Sequence, residues 1–349
     1  LFVLYLRNCR SELKAFTLDG HPLADLVLPG LGSATAPAGE FSGHTAYFSY
    51  RSFTQPTLIQ RFDATSGATT DWWRSPAPFD GSRFETRQIT YLSKDGTKVP
   101  MFVVQPKGMT YDGTHSVLMT GYGGFNVSET PGFSPLAAAW LDLGGVYVST
   151  NLRGGAEFGD AWHQGGMRAR KQNTFDDFLF AGQWLLTHGY CTQQRLGILG
   201  GSNGGLLVGA ALTQRPDLFG AVVCEVPLLD MVRFHRFLVA RFWTPEYGCS
   251  EDPEQFRWLY AYSPYHHVTP GTKYPATMFV SGDSDTRVDP LHARKMAALV
   301  QAAQGGDKPI LLRYDVTSGH SGGQSADKSI EDNADILQFL RSQLGMLQP

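Results

Sequence analysis

The sequence predicts an α/β fold with a largely parallel sheet over residues 83–349, preceded by an all-β region over residues 1–82. Three observations support this prediction. From about Phe84 onward, apolar runs typical of buried strands alternate with helical patterns, as in parallel sheets covered by helices. Before that point the chain holds short strand-like segments separated by Gly-containing turns. In the α/β part, a serine between glycines stands where one of the strands meets a helix.

Two similar units of paired strands make up the N-terminal region. Strands are predicted at 1–6 and 13–18, and again at 44–51 and 56–62. The units lie about 45 residues apart, which is the spacing of β-propeller blades. Two blades cannot close a ring and leave strand edges exposed. The sequence therefore predicts an N-terminally truncated propeller of which about two blades remain.

The α/β part begins with a hairpin and continues with alternating elements. The hairpin is predicted from Thr86 to Gln105, because Lys94-Asp95-Gly96 is typical of a tight turn. Buried strands are predicted from the apolar runs at 116–120, 145–150, 195–199, 221–226, 276–281 and 310–316. Helices are predicted at 175–187, 203–214, 290–303 and 329–344.

The pattern Gly200-x-Ser202-x-Gly204 has the most direct chemical meaning in the sequence. It stands between a predicted strand and a predicted helix, which is the setting of a nucleophile elbow. In such an elbow the serine is held on a tight turn with its Oγ exposed, and the glycines allow close packing. An ordinary Gly-rich loop between strand and helix has a similar sequence, so the interpretation depends on the partner residues.

A serine nucleophile needs a general base and a carboxylate that orients the base. In folds with a nucleophile elbow these follow the serine in the order Asp, then His. Asp283 and Asp285 both follow a predicted strand, and spacing alone does not separate them. His320 follows the last predicted strand among glycines that would let its ring reach the serine. His292 is the alternative base, but its predicted helix would point it away.

Several longer motifs resemble the prolyl oligopeptidase family. They are Gly-Gly-Ser-Asn-Gly-Gly-Leu-Leu-Val at 200–208, Gln-Arg-Pro-Asp-Leu-Phe-Gly at 214–220, Gly-Tyr-Gly-Gly-Phe-Asn at 121–126, Asn-Leu-Arg-Gly-Gly at 151–155 and Lys-Gln-Asn-Thr-Phe-Asp-Asp-Phe at 171–178. The resemblance is nearly continuous from about residue 83 to the end. It implies an α/β-hydrolase catalytic domain at 83–349 after a β-propeller remnant at 1–82. It also implies a catalytic triad of Ser202, Asp285 and His320, with Asp285 rather than Asp283 as the acid.

The same resemblance implies an oxyanion site and a substrate pocket. Tyr122 would donate through its hydroxyl, beside the backbone N–H of Asn203. Trp243 and Tyr247 would line a slot for a proline ring, whose apolar area suits flat aromatic faces. Arg287, otherwise an ordinary surface arginine, would donate to a substrate carbonyl. The further apolar wall positions implied are Phe125, Leu228, Val239 and Val288.

These residues imply a serine peptidase that cleaves short proline-containing peptides on the carboxyl side of proline. The segment Glu225-Val226-Pro227-Leu228-Leu229 departs from the animal members of the family and resembles bacterial ones. The pocket segments hold no acidic pair that would clearly favour Lys or Arg, which disfavours an oligopeptidase B-like specificity. Two alternatives stay open: another peptidase or esterase of this fold, such as an acylaminoacyl-peptidase-like enzyme, and an inactive fragment that acts as a binding module.

The composition is that of a globular enzyme. Hydrophobic residues make up 42% and charged residues 17%, and the net charge of −3 argues against a nucleic-acid partner. No apolar run reaches the roughly 18 residues of a membrane span. The cysteines, of which Cys224 is predicted to be a buried thiol, have neither metal nor disulfide spacing. We expect no metal or cofactor, a monomer, and a cytoplasmic location with the periplasm as the alternative.

Overall fold

A computed structural model describes residues 1–320 and 325–346 of the chain. The N-terminal part forms two antiparallel sheets. The first has the strands β1 (Phe2–Arg7), β2 (Arg10–Phe16) and β3 (Pro22–Leu26). The second has the strands β4 (Ser33–Ala34), β5 (Ala38–Gly39), β6 (Thr45–Arg51), β7 (Leu58–Asp63) and β8 (Thr69–Arg74). Each predicted unit of paired strands corresponds to one of these sheets.

Strand β2 begins earlier than the sequence predicts. The chain turns back from β1 through Asn8 and Cys9, whose φ angles are 48° and 63°. Asn favours this left-handed conformation, but Cys adopts it rarely, and the turn has no Gly or Pro. The prediction of a strand starting at residue 13 is therefore wrong, because this tight turn lacks the residues that usually mark one.

Eight strands form the central sheet of the α/β part. They are β9 (Phe84–Leu92), β10 (Lys98–Pro106), β11 (Val117–Thr120), β12 (Val146–Thr150), β13 (Leu196–Gly201), β14 (Ala221–Glu225), β15 (Ala276–Gly282) and β16 (Ile310–Asp315). Their spatial order is β16-β15-β14-β13-β11-β12-β10-β9. The strands from β11 to β16 pair in parallel, whereas β10 is antiparallel to both β9 and β12. This largely parallel sheet confirms the α/β prediction.

Helices cover both faces of the central sheet. They are α1 (Pro135–Asp142), α2 (Asp160–Gln164), α3 (Gln172–Thr187), α4 (Asn203–Gln214), α5 (Thr244–Tyr247), α6 (Pro253–Tyr262), α7 (Leu291–Ala303) and α8 (Ala326–Gln343). Successive side chains of a strand point to opposite faces. In β14, Val222 therefore shares a core with α3, α4 and α7, whereas Val223 shares one with α1 and α8. Each large side chain buried in these cores contributes about 1.5–3 kcal/mol.

The carboxyl ends of the parallel strands lie along one edge of the sheet, where ligands of α/β folds bind. Ser202 follows β13, Asp285 follows β15 and His320 follows β16. Strand β16 is the edge strand beside β15. The strand order thus brings three residues that are far apart in sequence to the same edge.

Two smaller predictions can be compared with the fold. Cys224 is buried in β14, and its thiol donates to the carbonyl of Gly205 at 3.3 Å. The predicted buried thiol is therefore confirmed, and burial raises the pKa of this thiol well above its usual value. Among the described residues, no helix combines the length and the apolar character needed to cross a membrane.

Candidate active site

Ser202 lies on a tight turn between β13 and α4. Its φ and ψ are 58° and −117°, a conformation that residues other than glycine seldom adopt. The turn is held by the backbone N–H of Ser202, which donates to the carbonyl of Glu225 at 3.0 Å. A Cβ at Gly200 would lie 2.2 Å from the carbonyl oxygen of Gly204. The glycines are therefore needed where strand and helix meet, and the turn has the geometry of a nucleophile elbow.

Ser202, His320 and Asp285 form one hydrogen-bonded series. The Nε2 atom of His320 is 3.0 Å from the Ser202 Oγ, and its Nδ1 atom is 2.7 Å from Oδ2 of Asp285. The Asp285 side chain is buried, and its Oδ1 accepts the backbone N–H groups of Arg287 and Val288 at 2.9 Å. The acid is thus fixed by its own loop, and the imidazole can accept the serine proton.

The two alternative residues have other contacts. Asp283 is exposed, and its carboxylate accepts a hydrogen bond from the hydroxyl of Tyr314. His292 is buried in α7, where its Nδ1 accepts the backbone N–H groups of Leu229 and Asp230 at 3.3 and 3.1 Å. Burial lowers the pKa of His292 to about 3. His292 is therefore a neutral hydrogen-bond acceptor in the core, and Asp283 lies outside the series.

Two potential donors lie beside the Ser202 Oγ. Asn203 is the first residue of α4, so its backbone N–H has no partner within the helix. Tyr122, which follows β11, lines the same cavity as Ser202. Burial raises the pKa of the Tyr122 phenol, whereas its contact with Ser202 acts in the opposite direction. The phenol is protonated at neutral pH and can donate a hydrogen bond.

A cavity of about 230 Å³ adjoins Ser202 on this side. It is lined by Tyr122, Phe125, Val127, Ser202, Leu228, Trp243, Arg287 and His320. The rings of Phe125 and Trp243 meet nearly edge to face, with centroids 6.4 Å apart. Four of the predicted pocket residues are therefore part of this wall, namely Phe125, Leu228, Trp243 and Arg287. Val127 also lines the cavity and was not predicted.

Three predicted pocket residues do not line this cavity. Tyr247 is fully buried behind the wall, where its ring lies against Phe125 and its hydroxyl donates to Oδ1 of Asn203 at 2.7 Å. Val288 is also buried, and its backbone N–H donates to Oδ1 of Asp285. Val239 is 41% exposed just before a short 3-10 turn. The sequence places these residues near the site but does not show which way they face.

Residues 131–347 match the profile of the prolyl oligopeptidase family. The chain belongs to the prolyl oligopeptidase family. Residues 1–74 match the N-terminal β-propeller domain of prolyl oligopeptidases. The predicted α/β-hydrolase fold, preceded by propeller strands, is therefore confirmed. The division between residues 82 and 83 stays a prediction.

Relatives within the prolyl oligopeptidase family match almost the whole chain. The prolyl endopeptidase of Elizabethkingia miricola is 38% identical over 346 residues, which are 99% of this chain and 49% of that protein. A structure from a study of two prolyl endopeptidases has a TM-score of 0.94 at 47% identity, covering 99% of this chain and 51% of that one. Prolyl oligopeptidase B from Galerina marginata, bound to a 35mer hydrolysis and macrocyclization substrate, has a TM-score of 0.93 at 35% identity, covering 99% and 49%. The chain spans about half the length of these relatives.

Ion pairs join the two elements on either side of His320. Lys328 of α8 lies 2.6 Å from Asp315 at the end of β16. Arg313 of β16 lies 2.8 Å from Asp332 of α8. Lys328 and neighbouring N–H and hydroxyl donors hold the pKa of Asp315 well below its usual range. In this prolyl oligopeptidase-family chain, the position of the candidate base thus depends on β16 and α8 together.

One group of side chains in the described part of the chain could offer three metal ligands. His235, Cys249 and Glu251 have ligand atoms within 4.8 Å of one another. Glu251 is shared, however, because Arg236 lies 3.5 Å from the same carboxylate oxygen that is 3.4 Å from His235. The group does not belong to the wall of the Ser202 cavity as given above.

Three polar residues behind the cavity wall were not predicted from the sequence. They are His163, Lys171 and Glu246, which are largely buried and in contact with one another or with the loop after β11. His163 and Glu246 are separated by 83 residues. Lys171 does begin one of the motifs shared with the prolyl oligopeptidase family, which was the only signal that could have singled it out.

Proposed function

We propose that this protein is a serine peptidase that cleaves short peptides on the carboxyl side of proline. The observation that carries the proposal is the hydrogen-bonded series from Ser202 through His320 to Asp285 beside an apolar cavity. Membership of the prolyl oligopeptidase family supports the same reaction. In this proposal residues 83–349 form the catalytic domain and residues 1–82 form propeller blades. The protein acts as a monomer and needs no cofactor.

In the first half-reaction the Ser202 Oγ attacks the carbonyl carbon before the scissile bond. His320 Nε2 takes the hydroxyl proton, and Asp285 stabilises the imidazolium that forms. The Tyr122 hydroxyl and the Asn203 backbone N–H donate hydrogen bonds to the carbonyl oxygen and stabilise the negative charge that develops on it. The carbon–nitrogen bond then breaks, and His320 gives its proton to the departing amine nitrogen. An acyl ester on Ser202 remains.

The second half-reaction repeats these steps with water. His320 takes a proton from the water molecule as its oxygen attacks the ester carbonyl. The same two donors stabilise the negative charge on the ester carbonyl oxygen. The carbon–oxygen bond to Ser202 breaks, and the proton returns to the Ser202 Oγ. The peptide leaves as a carboxylic acid, and the enzyme is restored.

The wall of the cavity supports a preference for proline. Phe125, Leu228 and Trp243 offer apolar surface to a residue whose ring carries no hydrogen-bond donor. Arg287 is the charged side chain in this wall, and it can donate to a substrate carbonyl. Its positive charge does not attract a substrate Lys or Arg. A volume of about 230 Å³ suits one compact side chain.

Replacing Trp243 with alanine should lower kcat/KM for a proline substrate far more than for its alanine counterpart. Loss of a flat apolar wall should reduce the discrimination between the two by about 10- to 200-fold. The measurement is kcat/KM on two chromogenic peptides that differ only at the residue before the scissile bond.

Phe242 provides the matched control, because it is the neighbouring aromatic residue and is 67% exposed. Phe242→Ala should leave the ratio of the two kcat/KM values unchanged. Equal losses on both peptides in Trp243→Ala would mean that Trp243 supports the core and does not select proline.

A direct test separates the proposal from other activities of the same fold. The same two peptides are compared with a short-chain ester and with an N-acylated amino acid amide. The proposal requires preferred turnover of the proline peptide. Turnover of the ester or of the acylated amide alone would replace it with an esterase or an exopeptidase, and no turnover of any of them would favour a binding module.

A further inference from the structure

A set of buried polar side chains holds the loop that carries Tyr122. We call residues 121–126 the oxyanion loop. The Asn203 side chain donates to the carbonyl of Tyr122 at 2.6 Å, and Lys171 Nζ donates to the carbonyl of Gly123 at 2.7 Å. The backbone N–H of Phe125 donates to Oε1 of Glu246 at 2.9 Å. Three side chains thus fix three main-chain groups of one short loop.

The oxyanion loop needs such support because its backbone is strained. Phe125 and Asn126 have φ angles of 55° and 57°. For a bulky residue such as Phe125 this left-handed conformation is unfavourable, and it persists only where surrounding contacts determine it. Besides the bond from Phe125 to Glu246, the N–H of Asn126 donates to the carbonyl of Gly154 at 3.2 Å. The contacts of the loop therefore decide where the Tyr122 hydroxyl lies.

Two of the supporting residues are buried charged groups. Lys171 is 1% exposed and Glu246 is 5% exposed. The second oxygen of Glu246 lies 2.8 Å from Nε2 of His163, and the ammonium of Lys171 lies over the ring of Tyr247. Burying these groups costs free energy that an apolar pair would not cost. Because both charged groups contact the oxyanion loop, their position indicates a role other than stability.

Glu246 also joins two parts of the site. It belongs to α5, which directly follows Trp243 in the chain, and it accepts the N–H of Phe125. Trp243 and Phe125 lie next to each other in the cavity wall, with their rings nearly edge to face. A substrate ring in the cavity would therefore contact two side chains whose backbones are joined through the Glu246 carboxylate.

We infer that Lys171 and Glu246 are positioning residues. They hold the oxyanion loop so that the Tyr122 hydroxyl can donate a hydrogen bond to the oxyanion when a substrate occupies the cavity. The inference rests on the proposed peptidase function. Neither residue is part of the cavity wall, so both act through the loop. Their loss should lower kcat, because stabilisation of the oxyanion is needed only in the transition state. KM should change little.

The test is a double-mutant cycle with Tyr122→Phe, with kcat expressed per Ser202 labelled by an organophosphonate. Tyr122→Phe alone should lower kcat by about 100-fold, as removal of one oxyanion donor does. Glu246→Leu and Lys171→Met should each lower it by about 30- to 100-fold, again through the loss of that donor. In the Tyr122→Phe background the same two substitutions should lower kcat by less than about threefold, because coupled residues are not additive.

Two further variants separate positioning from general support of the fold. Glu246→Gln keeps an acceptor for the Phe125 N–H and should restore kcat to within about fivefold of the unsubstituted protein, since the hydrogen bond is retained. Asp230→Asn is the matched control, because Asp230 is also buried and accepts a backbone N–H, that of Arg233, beside a lysine, Lys295. Its effect should be additive with that of Tyr122→Phe.

The outcomes distinguish this inference from the proposed function. If the unsubstituted protein neither labels at Ser202 nor cleaves the proline peptide, the proposed function fails and the inference fails with it. If it does both, but Glu246→Leu and Lys171→Met are additive with Tyr122→Phe, only the positioning role is overturned. Should Glu246→Leu fail to fold, the cycle with Lys171→Met gives the same decision.

Discussion

Replacing Ser202 with alanine should lower kcat on a proline peptide by a factor on the order of 10⁶, the loss seen when a serine nucleophile is removed from a triad. The fold should survive, because the substitution removes one hydroxyl and leaves the strand-to-helix turn in place. Circular dichroism and thermal unfolding should match those of the unsubstituted protein, while turnover is lost. The expected effect therefore lies on the chemical step alone.

An organophosphonate that reacts with activated serines gives an independent measurement. Mass spectrometry of the labelled protein should find the modification at Ser202 and nowhere else. Ser318 is a demanding control, because it lies in the same segment as His320 and its hydroxyl is buried. Label on Ser318, on Ser33, or on Ser321, which lies outside the described residues, would overturn the assignment of the nucleophile.

Replacing Asp285 with asparagine should lower kcat by about 10⁴-fold, the loss known for this change in a Ser-His-Asp triad. The asparagine oxygen can still accept the N–H groups of Arg287 and Val288, so the loop should keep its shape. Its amide nitrogen would then face Nδ1 of His320. Nδ1 of His320 would then have to accept a hydrogen bond from the amide. The imidazole proton would therefore move to Nε2. An imidazole in this tautomer cannot take the proton of Ser202.

Asp283→Asn is the matched substitution, two residues away on the same loop. The Asp283 carboxylate contacts Tyr314 and not His320, so this change should alter kcat by less than about threefold, the small effect expected of a surface change away from the chemistry. The two variants are measured side by side with the same substrate. A large loss in Asp283→Asn with a small one in Asp285→Asn would reverse the assignment of the acid.

The parallel strands were predictable because each is a short, continuous apolar run. The runs at 195–199 and 276–281 correspond closely to β13 and β15. Helices α1 and α6 were not predicted, although Ser134 and Asp252 cap their first turns and each is followed by a proline. These start signals are present in the sequence, but each helix is short, with eight residues in α1 and ten in α6.

The strands that precede Ser202, Asp285 and His320 were predictable for the same reason. The choice of Asp285 over Asp283 depended on the family resemblance, because spacing alone does not separate them. The support of the oxyanion loop was not predictable. Lys171 and Glu246 meet that loop only because the folded chain brings three distant segments together. Tyr247 is a similar case, because a sequence shows that an aromatic residue is near the pocket but not which side of the wall it occupies.

The position of β16 at the edge of the sheet affects how a damaged molecule behaves. Edge elements open at a lower free energy than the centre of a sheet. His320 follows β16, whereas Ser202 follows β13 in the interior of the same sheet. Partial opening of this edge would therefore move His320 away from Ser202 before it disturbs Ser202 itself. A serine hydroxyl without a base is a poor nucleophile.

In the proposed peptidase, loss of the base would stop cleavage at the start of unfolding, before the serine itself is disturbed. In mild denaturant, phosphonate labelling of Ser202 should be lost before the amides of β13 start to exchange with solvent. If labelling of Ser202 and the protection of the β13 amides are lost together, the edge and the centre of the sheet open as one unit. Activity would then not be lost ahead of the fold.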